Sequence, residues 1–384
     1  MAALAPDNVQ AADVGPEGAL DPATVLTGTL HVFVAFDWAE EVDLDRARSL
    51  VPAEFHELPR RRRTPSSIAY RPPPLRFALA PLSLDLPELS AVQARAEATV
   101  FDFAAVSLGL HVPFRLPAAG LSRLAGWLAE PTVMVQAARA ALKPLHQRLL
   151  PALQKPLWND DLSEEYFVFH LAPAAPPSPA AQVLAATAPW LAGLVRLEAG
   201  PLSPEEVAEA LRLHLSYRPD DLFIADWAAA VLLDRDCDET LQTIEFANLQ
   251  LLEFRHIDNR LDDSLAAAYR LVYPLSRSWL PFWRSYARPL RALGSLKVEA
   301  NGLFERTENV LKLVGDQYLA RVYRLLATRF HLDEWEQNIQ RKLEVGEGVY
   351  QVVSNQAATN RTEALEAIVI VLIVLEIVLA LVRH

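Results

Sequence analysis

The chain has 384 residues, 52% of them apolar and 22% charged, which excludes a mini-protein and wholesale disorder and allows about two or three folded units. Thirty-six Lys and Arg stand against 48 Asp and Glu, a net charge of −12, which argues against a general nucleic-acid binder and gives no basis for specific DNA binding. The single cysteine, Cys237, rules out an intrachain disulfide and a thiolate cluster for zinc or iron–sulfur, and no cofactor is expected.

Met1–Asp21 has neither a basic start nor an apolar run of ~7–15 residues, so no secretory signal is read, and residues 1–28 are expected to be a disordered leader. An α+β region is expected over residues 29–171. His31–Phe36 (HVFVAF) is a short β run, and Asp43–Leu50 reads as a helix opening on acidic residues. Arg60, Arg61, Arg62 and Arg63, with Thr64-Pro65 and Arg71-Pro72-Pro73-Pro74 behind them, form a basic, proline-interrupted loop. That loop is either solvated or a contact for anionic lipid headgroups or RNA phosphate. Strands follow around Leu75–Leu79 and Leu82–Leu84, and Ala98–Leu110 reads as one strand. Leu121–Leu128 and Met134–Leu142 carry apolar residues at helical spacing, and Pro144, Pro151 and Pro156 break up the stretch after them. Glu165–Leu171 is the clearest strand.

Residues 172–182 are a Pro/Ala-rich connector, after which the α+β region resumes over 183–236. Val183–Leu197 reads as a helix. Ser203-Pro204-Glu205-Glu206 starts another, with Ser as cap, Pro in the first turn and acids behind it. For Asp221–Asp234 a strand is preferred over a helix. Strands and helices mix without a regular βαβ repeat, which argues an α+β fold class. Residues 237–362 are expected to form a long-helix hairpin or coiled-coil-like stalk. Its first helix, Asp238 to about Val272, carries Leu251, Phe254, Ile257, Leu261, Leu265 and Tyr269 as a stripe. A second covers roughly Trp279–Leu313, and a third follows Gly315.

Residues 364–382, ALEAIVIVLIVLEIVLALV, are aliphatic except for Glu366 and Glu376. As a helix they rise about 28 Å, near the ~30 Å thickness of a bilayer's hydrocarbon. A C-terminal transmembrane helix is expected, a buried core helix being the alternative, and the protein is read as tail-anchored with its bulk on the cytoplasmic side. Glu376 costs ~2.5–3.5 kcal/mol in such a span. It is therefore read as protonated, snorkelling, or paired in a homo-oligomer.

Val314–Leu343 (VGDQYLARVYRLLATRFHLDEWEQNIQRKL) and the tail TEALEAIVIVLIVLEIVLALV resemble the carboxy-terminal part of the "required for meiotic nuclear division" protein 1 family. Thr240–Leu261 looks like that family's long central helix, and the element ending in Asp226-Trp227 like the strand before it. The resemblance is clearest from about Asp220 to the end and weaker from Val32 to His170. It implies a domain of unknown function ahead of a helical hairpin and a membrane helix. It further implies an organelle membrane location for eukaryotic members, the mitochondrial ones linked to translation, with no catalytic residues to carry over. An Ala-rich, Lys-poor composition points to a bacterial member, hence the bacterial inner membrane.

The chain has no G-x-x-x-x-G-K-[ST], G-x-S-x-G or H-E-x-x-H motif, and no G-x-G-x-x-G after a strand. Cys237, between Asp236 and Asp238, reads as a structural thiol. Glu253 and His256 have the Glu-x-x-His spacing that supplies ligands in carboxylate-bridged bundles, but that architecture needs the motif twice. Beside Arg255 and Arg260 the pair reads more economically as a polar helix face. His331 and Asp333 read as a break between helices with Asp333 as cap. Trp279, Phe282, Trp283, Tyr273 and Tyr286, interleaved with Arg277, Arg284 and Arg288, read as core or as a partner or membrane-interface surface. The expected function is a non-enzymatic, self-associating scaffold or tether at the membrane. Its expected partners are membrane lipid, a second copy, and a ribosome or another membrane-associated protein. The alternative is a membrane-bound metalloenzyme using Glu253 and His256.

Overall fold

A computed structural model of the chain describes residues 20–51, 56–57, 73–158, 162–173, 178–272, 294–298, 300–302, 304 and 317–382. Arg60, Arg61, Arg62 and Arg63, the aromatic cluster from Tyr273 to Tyr286 and most of the expected second long helix lie outside these residues. The chain divides into two compact units, Met1–Glu253 with Thr307–Leu332, and Phe254–Arg306 with Asp333–His384.

The first unit is built on a ten-stranded sheet. Its central strand, β1 (Val25–Asp37), pairs antiparallel with β7 (Ala105–Pro117) on one side and with β9 (Glu164–Leu171) on the other. Beyond β7 come β6 (Leu89–Val100), β4 (Leu75–Ala78) and β3 (His56–Glu57), with β5 (Leu82–Leu86) also on β6. Beyond β9 come β12 (Ala229–Leu233), β11 (Leu222–Ala225) and β10 (His214–Leu215). The β9–β12 pair is parallel, and β2 (Glu41–Val42) pairs antiparallel with β8 (Leu153–Gln154) in a separate two-stranded sheet.

Side chains alternate across a strand, and that period divides the sheet into two chemistries. Leu30, Val32, Val34 and Phe36 of β1 are fully buried on one face, against α2 (Ala118–Leu128), α3 (Thr132–Leu149) and α4 (Ala180–Arg196). The other face carries His31, Phe33 and Ala35. Ala35 packs there with Ala105 and with Leu249 and Leu252 of α6 (Asp238–Val272).

Several elements have local causes. Asp43 caps α1 (Leu44–Ser49) by accepting the Arg46 N–H at 2.9 Å, and Ser203 caps α5 (Pro204–Leu211) through the Glu206 N–H at 3.2 Å. The stretch Ala98–Leu110 is two strands joined by a turn, with Ala104 at φ 66° and its N–H bonded to the Phe101 carbonyl. Alanine gives that left-handed turn no sequence signal. Helix α3 runs through Pro144 to Leu149. The Asp221–Asp234 stretch is the β11–β12 hairpin. Between α7 (Gln317–Arg329) and α8 (Leu332–Val382), His331 sits at φ 53°, and Asp333 lies in the first turn of α8.

One buried charge cluster pins α7 to the sheet. Arg329 donates to the carbonyls of Ala225, Glu209 and Ala210 at 3.1, 2.8 and 3.2 Å, and its Nη1 lies 3.6 Å from Asp226 Oδ1. Arg196 Nε stands 2.8 Å from Asp226 Oδ2, off the N–H axis, so the contact is an ion pair without an aligned hydrogen bond. The Tyr166 hydroxyl donates to the Asp226 carbonyl at 2.8 Å. Burial, then the charge of Asp226, push that hydroxyl well above its ordinary pKa, which keeps it a donor.

In the second unit, Lys342 Nζ lies 2.7 Å from Asp258 and 2.6 Å from Asp262, and Asn338 donates to Asp258 at 3.2 Å. Burial opposes the lysine's charge, but hydrogen bonds to the two carboxylates outweigh it and raise its pKa. His256 is pushed down to about 4 by burial and then by the nearby Arg260 charge.

The protein is mixed α/β, with one large sheet and many helices, and the expected fold class is corrected in its membrane span. Among the described residues no helix is long and apolar enough to cross a membrane. The aliphatic run is the end of the 51-residue helix α8, whose remainder is rich in charged and amide side chains, and Glu366 and Glu376 interrupt the run itself. Each carboxylate would cost ~2.5–3.5 kcal/mol in hydrocarbon. The expected transmembrane helix, the tail-anchored topology and the inner-membrane location are corrected with it.

Two outcomes follow from these charges. Asp226→Ala leaves Arg329 buried with Glu209 as its remaining carboxylate, and is expected to destabilise the protein by about 3 kcal/mol in urea unfolding. The folded pKa of His256 lies below its unfolded value of about 6.5, so the unfolded chain binds the extra proton between those values. Stability from this group is complete above pH ~6.5 and falls as the pH drops towards 4, by about 2 kcal/mol after allowance for partial exposure. Denaturation at pH 7 and pH 4.5 should show that loss shrinking in His256→Asn.

Candidate metal centre

The face of the sheet turned towards α6 gathers polar side chains that the opposite face lacks: His31 on β1, Ser107 and His111 on β7, Glu97 and Thr99 on β6, and His170 on β9. Register brings the histidines together. His31 stands directly opposite His111 in the β1–β7 pair. In the β1–β9 pair His31 faces Val168, which puts His170 two positions along on the same face. Strand β12 runs parallel to β9 with Leu232 beside His170. The chain then turns into α6, whose first turn is closed by the Cys237 carbonyl accepting the Leu241 N–H at 2.8 Å. That turn delivers Cys237 Sγ to 3.5 Å from His170 Nδ1.

One ligand atom each from His31, His170 and Cys237 lies within 4.8 Å of the other two. Cys237 and His31 are buried and His170 is half-buried. The His170 Nε2 is 2.8 Å from the Asp234 carbonyl. A carbonyl can only accept, so Nε2 carries the proton and Nδ1 turns its lone pair towards the sulfur. The His31 and His170 rings stack at 5.6 Å, and His31 meets His111 edge to face at 4.9 Å with their Nδ1 atoms 2.7 Å apart. Beyond His111, Glu97 Oε1 stands 3.6 Å from its Nε2 and 3.0 Å from Arg95 Nη2.

Two imidazoles and a thiol form a nitrogen and sulfur donor set, suited to zinc and other late first-row metals and poorly suited to magnesium or calcium, which take oxygen. Three protein donors leave a fourth tetrahedral position for water or another ligand.

The residues singled out in the sequence fall elsewhere. Glu253 is buried on α6, and His256, three residues on, is half-buried with Arg260 Nη1 at 3.5 Å from its Nε2. Neither belongs to the three-ligand group found among the described residues. Glu376 is exposed on α8. The set that does converge comes from positions 31, 170 and 237, separated by more than sixty residues each. Its signal in the sequence was a histidine in each of two apolar strands; which strands pair was not written there.

Comparisons with known proteins reach the same region. The "Uncharacterized protein MJ0711" of Methanocaldococcus jannaschii is 29% identical over 196 residues, which are 50% of this chain and 59% of that protein. The chain thus spans less than two thirds of the relative's length. No solved structure matches. These comparisons do not confirm the meiotic-division family, whose resemblance was clearest over the carboxy-terminal part, whereas the family match falls mainly on the amino-terminal half. His31, His111, His170 and Cys237 all lie within the matched span, residues 27–239, and over that span the chain belongs to the family described as "Uncharacterized protein MJ0711, N-terminal domain".

Proposed function

We propose that the α/β unit is a metal-binding domain that holds one transition-metal ion of the zinc class through His31, His170 and Cys237. The convergence of three suitable donor atoms within 4.8 Å of one another supports this reading. The Asp234 carbonyl that fixes the His170 tautomer acts as the outer partner metal-bound histidines need. The metal reading thereby moves from Glu253 and His256 to the sheet face. The three-donor set leaves a position for an exogenous ligand, the arrangement of catalytic zinc.

A second reading, self-association, has its own observation. Every aliphatic residue from Ile368 to Leu379 is at least 50% exposed, a larger apolar surface than a monomer ordinarily leaves in water. A second copy of the same helix is the occupant this reading commits to.

Titration of the chelator-stripped full chain with Co2+ should give one bound ion, with tetrahedral d–d absorption and a thiolate-to-cobalt charge-transfer band. Cys237→Ser should lose the charge-transfer band, and His170→Ala should bind far more weakly. Zinc at ~100 times its dissociation constant should stabilise the fold by about 2.7 kcal/mol. A wild-type chain that takes up neither ion disproves the reading. For self-association, sedimentation should show an oligomer for the full chain and a smaller species for a chain ending at Thr362; a monomeric full chain would end that proposal.

A further inference from the structure

We propose that His111, braced by Glu97, is a positioning residue for the metal centre: it accepts the Nδ1 proton of His31 and holds that ring in the tautomer that offers Nε2 to the ion. This rests on the metal reading above. Two ring nitrogens 2.7 Å apart share one proton between them, so one of the two Nδ1 atoms donates and the other accepts. The other end of the His111 ring decides which. Its Nε2 faces Glu97 Oε1 at 3.6 Å, and the same oxygen is held by Arg95 at 3.0 Å. At 3.6 Å this carboxylate is beyond direct hydrogen-bond reach, but an oxygen acceptor on that side favours the His111 proton on Nε2 over a lone pair there, which makes its Nδ1 the acceptor. His31 then carries its proton on Nδ1 and presents the Nε2 lone pair.

The scaffold holds this relay at both ends. His31 and His111 are register partners in β1–β7, and Arg95 is the register partner of His111 in β6–β7. Glu97 stands opposite Gly109, where an added Cβ would lie 3.6 Å from His111 Nε2 and 3.6 Å from the Phe33 ring. The missing side chain leaves a cavity of about 20 Å³ bordered by Glu97, Thr99, His111 and Glu245. That volume is large enough for one water.

Carboxylate and histidine partners of this kind set the orientation and basicity of a metal ligand, and their loss costs ~10–100-fold in affinity. The test compares the full-length wild type with His111→Leu and His111→Asn. Leu removes the acceptor, whereas Asn puts a carbonyl oxygen near the position of Nδ1. Co2+ affinity and the d–d spectrum are read for each, with the thermal midpoint of each metal-stripped protein. Expected are a ~10–100-fold loss and an altered spectrum for Leu, near-native affinity for Asn, and similar midpoints. Wild-type affinity in His111→Leu overturns the relay while leaving the metal centre standing. Equal losses in both variants also overturn it, because they mark a packing role. No Co2+ uptake by the wild type brings down the metal reading itself. Should His111→Leu fail to fold, Glu97→Leu carries the same comparison, with a ~10-fold loss expected and unchanged affinity counting against the relay.

Discussion

Strand β1 is hydrogen-bonded along both edges and covered on both faces, and the rest of the first unit answers to that constraint. A strand so enclosed must satisfy every backbone group through its neighbours, and from Leu30 to Asp37 every side chain it carries is buried. On the face turned to α2, α3 and α4 this is met by aliphatic and aromatic groups alone, the cheapest solution, since burial of such groups is itself the driving force. On the α6 face it is met differently. His31 is taken out of water there, and an imidazole can be buried at low cost only where its ring nitrogens have partners. The histidine pair, the Glu97 carboxylate and the cysteine turn are the form that answer takes.

Much of the fold could be read from local pattern. The helix Asp238–Val272 follows from a long apolar stripe opened by acidic residues, and the α5 start from Ser203-Pro204. Strand β9 follows from a dense aromatic and branched run. These are short-range signals, and each is written within one turn or one strand. The β6–β7 turn escaped because alanine, which carries no turn preference, occupies its left-handed position. The continuation of α3 through Pro144 escaped because proline's local penalty was outweighed by burial of Leu142, Leu145 and Leu149 against the sheet. The aliphatic tail is a related case: taken by itself its composition is that of a membrane span, although it is continuous with the charged helix that precedes it.

The candidate site was hidden for a physical reason that these elements make plain. The Glu253 and His256 pair was visible because helical spacing is a property of neighbours in sequence. The His31, His170 and Cys237 set depends on strand order, and strand order is fixed by packing of the whole sheet. His31 and His170 share a face because β1 and β9 pair in one particular register, and a slip of one residue would turn one of them into the apolar core. Cys237 joins them because β12 pairs in parallel beside β9 and because α6 begins immediately afterwards. No spacing rule connects these three residues.

The same separation in sequence gives the proposed centre a structural consequence. An ion held by His31, His170 and Cys237 ties β1 to β9 and both to the N-terminus of α6, so it closes loops of well over sixty residues. Closing a loop of that length in the unfolded chain is entropically unfavourable, and the cost grows only slowly with further length. Donors drawn from three distant places are therefore assembled only once the sheet has formed, and the binding free energy of the metal then adds to the stability of that arrangement. A pair three residues apart on one helix could not do this, because it assembles with the helix and bridges nothing. The centre on the sheet would instead act on the β1, β9 and β12 register, the part of the fold with the least local encoding in the sequence.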